Sequence, residues 1–180
     1  MSFPEFSIPA RELDAAGKRF RFAVRAAWLR GALEDTDVAA SGPDGELDLR
    51  VSKSGPDVVV RGSLAAALEV PCARCLVATR VTVREELSAL AVPAAVAREA
   101  SAGKGDDEAE LAADHADVIS FDGETLVLDD FVRDELLLGI PMIPLCSEAC
   151  PGIRPEPAIA PTGSNLDPRL RPLLGLKNKT

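Results

Sequence analysis

The sequence predicts an α+β fold, an antiparallel sheet (a meander) with packed helices and a cysteine-paired hairpin tip. Three observations carry the prediction. Successive runs between residues 46 and 91 alternate apolar and polar side chains, the period of half-buried strands. Short connections join them, so neighbouring runs fold back antiparallel. Residues 129–139 then switch to the spacing of an amphipathic helix. With 180 residues and 47% hydrophobic content, the chain can bury a core without disulfides.

The elements follow in order. Phe20, Phe22, Val24 and Ala26 alternate with Arg19, Arg21, Ala23 and Arg25, which predicts a strand over 18–26. Its outer face would space arginines about 7 Å apart. Such a face is either solvated and paired with acids on a neighbouring strand, or a contact for a phosphate backbone. Trp28, Leu29, Ala32 and Leu33 fit a short helix within 26–38, which Gly31 weakens. Over 46–53, Leu47, Leu49 and Val51 alternate with Asp48, Arg50 and Ser52, and residues 54–57 turn the chain. The strand over 57–70 places Val58, Val60, Leu64, Leu68 and Val70 on one face, with Gly62 as at a bulge or a close approach. A strand over 77–91 turns Val81, Val83 and Leu87 inward and Arg80, Thr82, Arg84 and Glu86 outward. Cys72 and Cys75 fall in the turn between these last two.

The first 93 residues thus read as a sheet-rich core. Residues 94–116 are acidic, rich in alanine and glycine and without an apolar stripe, which predicts a disordered insertion. His115, the one histidine, lies there beside Asp114 and reads as a bystander. Residues 117–150 add a short strand at 118–121, a turn, a helix and the second cysteine pair, completing the same domain. In the helix Asp129 or Asp130 is the expected cap, and Phe131, Val132, Leu136 and Leu138 form its apolar stripe. Gly139 and Pro141 end it. Residues 151–180 form a proline-rich tail with a basic end.

Formal charge is −9, which on its own argues against a nucleic-acid role. The excess is local, however. Residues 101–135 hold 2 basic and 12 acidic side chains, a net of −10, whereas 11–30 is +4 and 166–180 is +3. Low aromatic content, six Phe, one Trp and no Tyr, excludes a stacking platform for single strands. No apolar run reaches the length of a membrane span and the N-terminus lacks signal-peptide character, so a cytoplasmic protein is expected. Without a usable histidine, no acid–base or triad assignment can be built, and no small-molecule substrate is expected.

The four cysteines form two pairs, Cys72/Cys75 and Cys146/Cys150. Two or three intervening residues let both sulfurs of a pair reach one ion, and two such pairs make a tetrahedral thiolate site. Zinc held by four protein ligands would be structural, since the coordination sphere is closed. Free thiols, a dithiol redox centre in which Arg74 lowers a thiolate pKa, and disulfides remain open alternatives. The pair at 72–75 is followed by a strand and not by a helix N-terminus, which is the wrong setting for the redox reading.

VPCARCL at the end of a strand, LDDFVRDELLLGIPMIPLC and NLDPRLRPLLGLK resemble the YceD family, bacterial and plastid proteins linked to accumulation of large-subunit ribosomal RNA. Cys72, Arg74, Cys75 and Leu76 match the family's C-x-R-C-L hairpin. Val132 to Leu137 with Pro141 match its acidic helix, and Pro144, Leu145 and Cys146 its P-x-x-P-L-C. Many members carry a further cysteine pair where this chain has Arg154 and Pro157. The resemblance implies a non-enzymatic factor in ribosomal RNA accumulation and large-subunit assembly. Its partners would be ribosomal RNA, assembly intermediates or a ribosomal protein. The expected RNA contacts are Arg19, Arg21 and Arg25 with Arg169, Arg171, Lys177 and Lys179 of the tail. A protein-binding adaptor is the second reading, and a dithiol redox protein the third.

Overall fold

The computed structural model describes residues 4–94, 118–153 and 169. Met1–Cys150 form one compact unit and Pro151–Thr180 a second. The expected insertion lies outside the described residues except for Ala94, as does the tail beyond Ile153 except for Arg169.

In chain order the described elements are β1 (Ser7–Pro9), a 3-10 turn (Ala10–Glu12), β2 (Lys18–Val24), α1 (Ala26–Ala32), β3 (Ala39–Ala40), β4 (Gly45–Ser54), β5 (Asp57–Pro71), β6 (Ala78–Pro93), β7 (Val118–Phe121), β8 (Thr125–Val127) and α2 (Asp129–Leu138). The main sheet runs β2-β4-β5-β6-β7, with β3 pairing the far end of β5. Its predicted strands stand within a few residues of their expected limits. β2 to β6 pair antiparallel, but β7 joins β6 in parallel. That edge departs from a pure meander, and a parallel return needs a crossover of a dozen residues or more, which the stretch between Pro93 and Val118 is long enough to supply. β1 and β8 form a separate two-stranded ribbon that the sequence reading missed.

The inner face follows the alternation. Leu47, Leu49, Val51, Val58, Val60, Leu64, Leu68, Val83 and Leu87 are buried, and Phe6, Ile8, Leu29, Leu33, Leu126, Leu128, Val132 and Leu136 close over them in one cluster. Burial of each large aliphatic side chain contributes about 1.5–3 kcal/mol.

Helix α1 stops short of its expected range because Thr36 diverts the chain. Its hydroxyl donates to the Leu33 carbonyl (2.8 Å) and accepts from the Val38 N–H (3.2 Å). α2 is not capped by an aspartate side chain; its cap residue is Leu128. Asp129 instead accepts hydrogen bonds from the Glu5 and Phe6 N–H groups (2.9 and 3.0 Å) and from Trp28 Nε1 (2.8 Å). Within the stripe Leu138 is a correction: it is 76% exposed, since the helix turns it away from the sheet. Gly139 lets the helix end approach β6, where an added Cβ would lie 2.5 Å from Val83 Cγ1.

Gly62 marks a close approach and not a bulge, because the β4–β5–β6 register runs through it unbroken. A Cβ there would overlap the Asp48 carbonyl oxygen and stand 2.9 Å from Leu49 Cα. Both are backbone atoms of the central strand pair, which cannot step aside cheaply. Gly62→Ala is expected to cost about 3 kcal/mol, the upper end of overpacking penalties. Urea unfolding checks this, and a change under about 1 kcal/mol would contradict it.

Candidate metal centre

The long β5–β6 hairpin carries Cys72 and Cys75 at its tip. The Cys72 N–H donates to the Val77 carbonyl (2.9 Å) and the Leu76 N–H to the Cys72 carbonyl (2.9 Å), which winds residues 72–77 into a tight knuckle. Leu76 accepts a left-handed backbone, φ 61°, to complete it. The second knuckle follows α2, where the Cys150 N–H donates to the Ser147 carbonyl (3.1 Å).

Backbone bonds stitch the knuckles together. The Ala73 N–H donates to the Pro144 carbonyl (2.8 Å), and the Cys146 N–H points at Cys72 Sγ (3.4 Å). Arg74 donates through Nη1 to the carbonyls of Glu148 (3.4 Å) and Cys150 (3.2 Å). Its guanidinium thus braces the second loop; a thiolate role for it belongs to the dithiol redox alternative alone.

The four sulfurs all lie within 4.8 Å of one another. Cys72 Sγ stands 3.9 Å from Cys150 Sγ, and Cys75 Sγ 3.7 Å from Cys146 Sγ. Thiolates bound tetrahedrally at the usual zinc–sulfur distance are about 3.8 Å apart, so the spacing fits a single ion. All four cysteines are free thiols; Cys72 and Cys150 are buried and Cys146 is exposed.

The electrostatics are those of a site arranged for anionic sulfur. The backbone N–H groups of Cys146, Arg74 and Cys75 bring the Cys72 thiol down to about 6. Its neighbours pay for that crowding: the Cys150 and Cys75 sulfurs push Cys146 up to about 12. At Cys75 the Val77 N–H acts downward, but the Cys150 and Cys72 sulfurs outweigh it and the thiol is raised. The protein itself favours the thiolate at Cys72, whereas at Cys75 and Cys146 a cation is needed to favour it. A soft, four-sulfur, tetrahedral donor set suits zinc or iron. It leaves no ligand position open for a substrate.

The arginines predicted on β2 are already engaged. Arg19 and Arg21 both donate to Asp48 of β4, through Nε at 2.7 and 3.1 Å. Arg25 lies past the strand end and pairs with Glu5 (3.1 Å). Arg169 is exposed, and Arg171, Lys177 and Lys179 lie outside the described residues. Two arginines that the sequence reading did not single out, Arg50 and Arg61, stand on the same outer face, and only the sheet register reveals it.

The protein is an α+β domain whose longest hairpin and a loop distant in sequence bring four cysteines together in a group that could hold one metal ion. The chain belongs to the YceD family: the family described as large ribosomal RNA subunit accumulation protein YceD matches residues 60–177, a stretch that includes all four cysteines. It is also similar to uncharacterised proteins of Mycobacterium bovis and of two Mycobacterium tuberculosis strains, at 33% identity over 112 residues. That alignment covers 62% of this chain and 48% of each relative, so the chain spans about half the length of the curated relatives it matches. No solved structure matches it. No helix among the described residues is long and apolar enough to cross a membrane.

Proposed function

We propose that this protein is a non-enzymatic, cytoplasmic factor that promotes accumulation of large-subunit ribosomal RNA and assembly of the subunit, fastened by a structural zinc. The observation that carries the reading is the convergence of Cys72, Cys75, Cys146 and Cys150 inside the segment that matches the family. Zinc is favoured among the metals because it has no redox demands and prefers four thiolates in a closed tetrahedron. Held there, it supplies charge neutralisation and cross-linking, not a reaction centre. The proposed RNA contacts are Arg19, Arg21 and Arg25 with Arg169, Arg171, Lys177 and Lys179, and the partner is ribosomal RNA or an assembly intermediate carrying it.

A second reading, a protein-binding adaptor for a ribosomal protein or assembly factor, is favoured by one observation. Around the metal tip Leu76, Val77, Met142 and Ile143 are all more than half exposed, and Met142 is fully so. Affinity capture of the tagged protein from cells, with and without RNase, separates the readings. Under the RNA reading, large-subunit ribosomal RNA co-purifies and RNase releases the associated proteins. Under the adaptor reading, a ribosomal protein stays bound after digestion. Recovery of neither would overturn the ribosomal assignment.

A further inference from the structure

We propose that the outer face of the sheet carries a phosphate-backbone site centred on Arg50 and Arg61, two residues outside the contacts named above. This deepens the ribosomal RNA reading and rests on it. The sheet register sets Arg19, Arg50, Arg61 and Ser88 side by side on β2, β4, β5 and β6. Outward residues directly opposite each other in adjacent strands have Cβ atoms about 5 Å apart, and like charges placed so repel. Three arginines in one cross-strand row are therefore a cost to the fold unless something neutralises them.

The fold neutralises the row only at its edge. Among the described residues Asp48 is the one acid bonded to these side chains, and it is divided between Arg19 and Arg21. Arg50 reaches only a neutral acceptor, the Ala16 carbonyl, at 2.8 Å. The Arg61 side chain has no hydrogen bond or ion pair among the described residues, and both arginines are exposed. The two charges flank an open hollow of about 480 Å³ whose lining also includes Gly17, Ser63 and Glu86. Arg19 lines it as well, so three guanidinium groups face the carboxylates of Asp48 and Glu86 there and the lining keeps a net positive charge.

The chemistry of the face selects a nucleic-acid backbone over a protein. Guanidinium forks grip phosphate oxygens in bidentate pairs, and a row of them tracks a chain of phosphates. Ser63 and Ser88 add neutral donors. The two rows that hold the arginines, 19-50-61-88 and 21-48-63-86, contain no apolar side chain, whereas protein interfaces are anchored by buried aromatic and apolar groups. Contacts of this kind position an RNA without reading its sequence.

The test is a salt titration of full-length protein binding to a fluorescent transcript of a large-subunit ribosomal RNA fragment. Arg50→Ala/Arg61→Ala is compared with wild type, with Arg50→Lys/Arg61→Lys, and with a charge-matched control, Arg11→Ala/Arg30→Ala. Two lost phosphate contacts are expected to weaken binding on the order of twentyfold at 0.1 M salt and to reduce the log–log salt slope by roughly 1.4–1.8. The lysine variant should restore the slope, and the control should match wild type. Thermal melting verifies folding; relief of repulsion should leave the alanine variant at least as stable as wild type. If the alanine variant and the control lose affinity equally, or neither does while wild type binds, the row is wrong and RNA binding stands. If wild type binds no RNA, both the row and the RNA reading fall. An RNase-resistant acidic protein captured through Arg50 and Arg61 would overturn the choice of ligand.

Discussion

Chelating the metal is expected to open the tip of the β5–β6 hairpin while the sheet stays folded. The reason lies in how the core is divided. The hydrophobic cluster that holds the strands together contains none of the four cysteines. The tip is held by the Ala73–Pro144 bond, the Arg74 brace and whatever the sulfurs bind. Without a cation, Cys75 and Cys146 have raised pKa values, so they revert to thiols, and the tetrahedral arrangement loses its attraction. A site held at free metal a thousandfold above Kd contributes about 4 kcal/mol. Amide exchange at Cys72, Ala73, Leu76 and Cys146 should therefore accelerate by up to about a thousandfold on chelation, with exchange in the centre of β4 and β5 unchanged. Exchange unaltered at the tip would contradict the fastening role. Collapse of the whole sheet would show that the core depends on the metal.

The second large effect is expected at Asp129. Its carboxylate accepts from two backbone N–H groups of the N-terminal segment and from the Trp28 indole. The bond from the Leu128 N–H to the Phe6 carbonyl (2.9 Å) completes the same clasp, and Phe6 packs edge-on against Trp28 with ring centroids 4.7 Å apart. Asp129→Ala removes three charge-assisted bonds at once and strands their donors in a partly buried place. Bonds to charged groups contribute about 1.5–3 kcal/mol each and do not add fully, so a loss of about 3–5 kcal/mol is expected. Asp129→Asn keeps one acceptor oxygen and should recover part of it. Urea unfolding gives the total, and limited proteolysis should cut first near β1, which loses its hold on β8. A loss below about 1 kcal/mol would contradict this account of the clasp.

The sequence made some parts of this molecule plain because a local pattern sufficed. β4, β5 and β6 bury alternate residues over long runs, so Leu47, Leu49 and Val51 or Val58 and Val60 identify their inner face without knowledge of the partner strand. The two cysteine pairs were legible for the same reason, since ligand spacing within each knuckle is a local matter. What escaped depends on distant residues. β1 and β8 are three residues each, too short for any period, and exist because they pair with each other and because Asp129 holds the N-terminal segment. The parallel entry of β7 is set by the chain's return after Pro93, which alternation within Val118–Phe121 does not encode. Arg19, Arg21 and Arg25 are legible as outward residues of 18–26, but their pairing with Asp48 of β4 and with Glu5 is set by residues distant in sequence. Conversely Arg50 and Arg61, scattered in sequence, become neighbours only through the register. Leu138 fits a helical stripe by spacing and is nonetheless exposed, because the apolar face of α2 is narrower than its sequence allows.

The central claim is that two knuckles 70 residues apart hold one metal ion through Cys72, Cys75, Cys146 and Cys150. Native mass spectrometry of the full chain, purified without chelator, tests it most directly. The account predicts one zinc per chain, lost on Cys72→Ser and on Cys146→Ser alike, with a cobalt-substituted sample showing tetrahedral thiolate absorption. Metal-free wild-type protein, or zinc that survives either substitution at full stoichiometry, would contradict it.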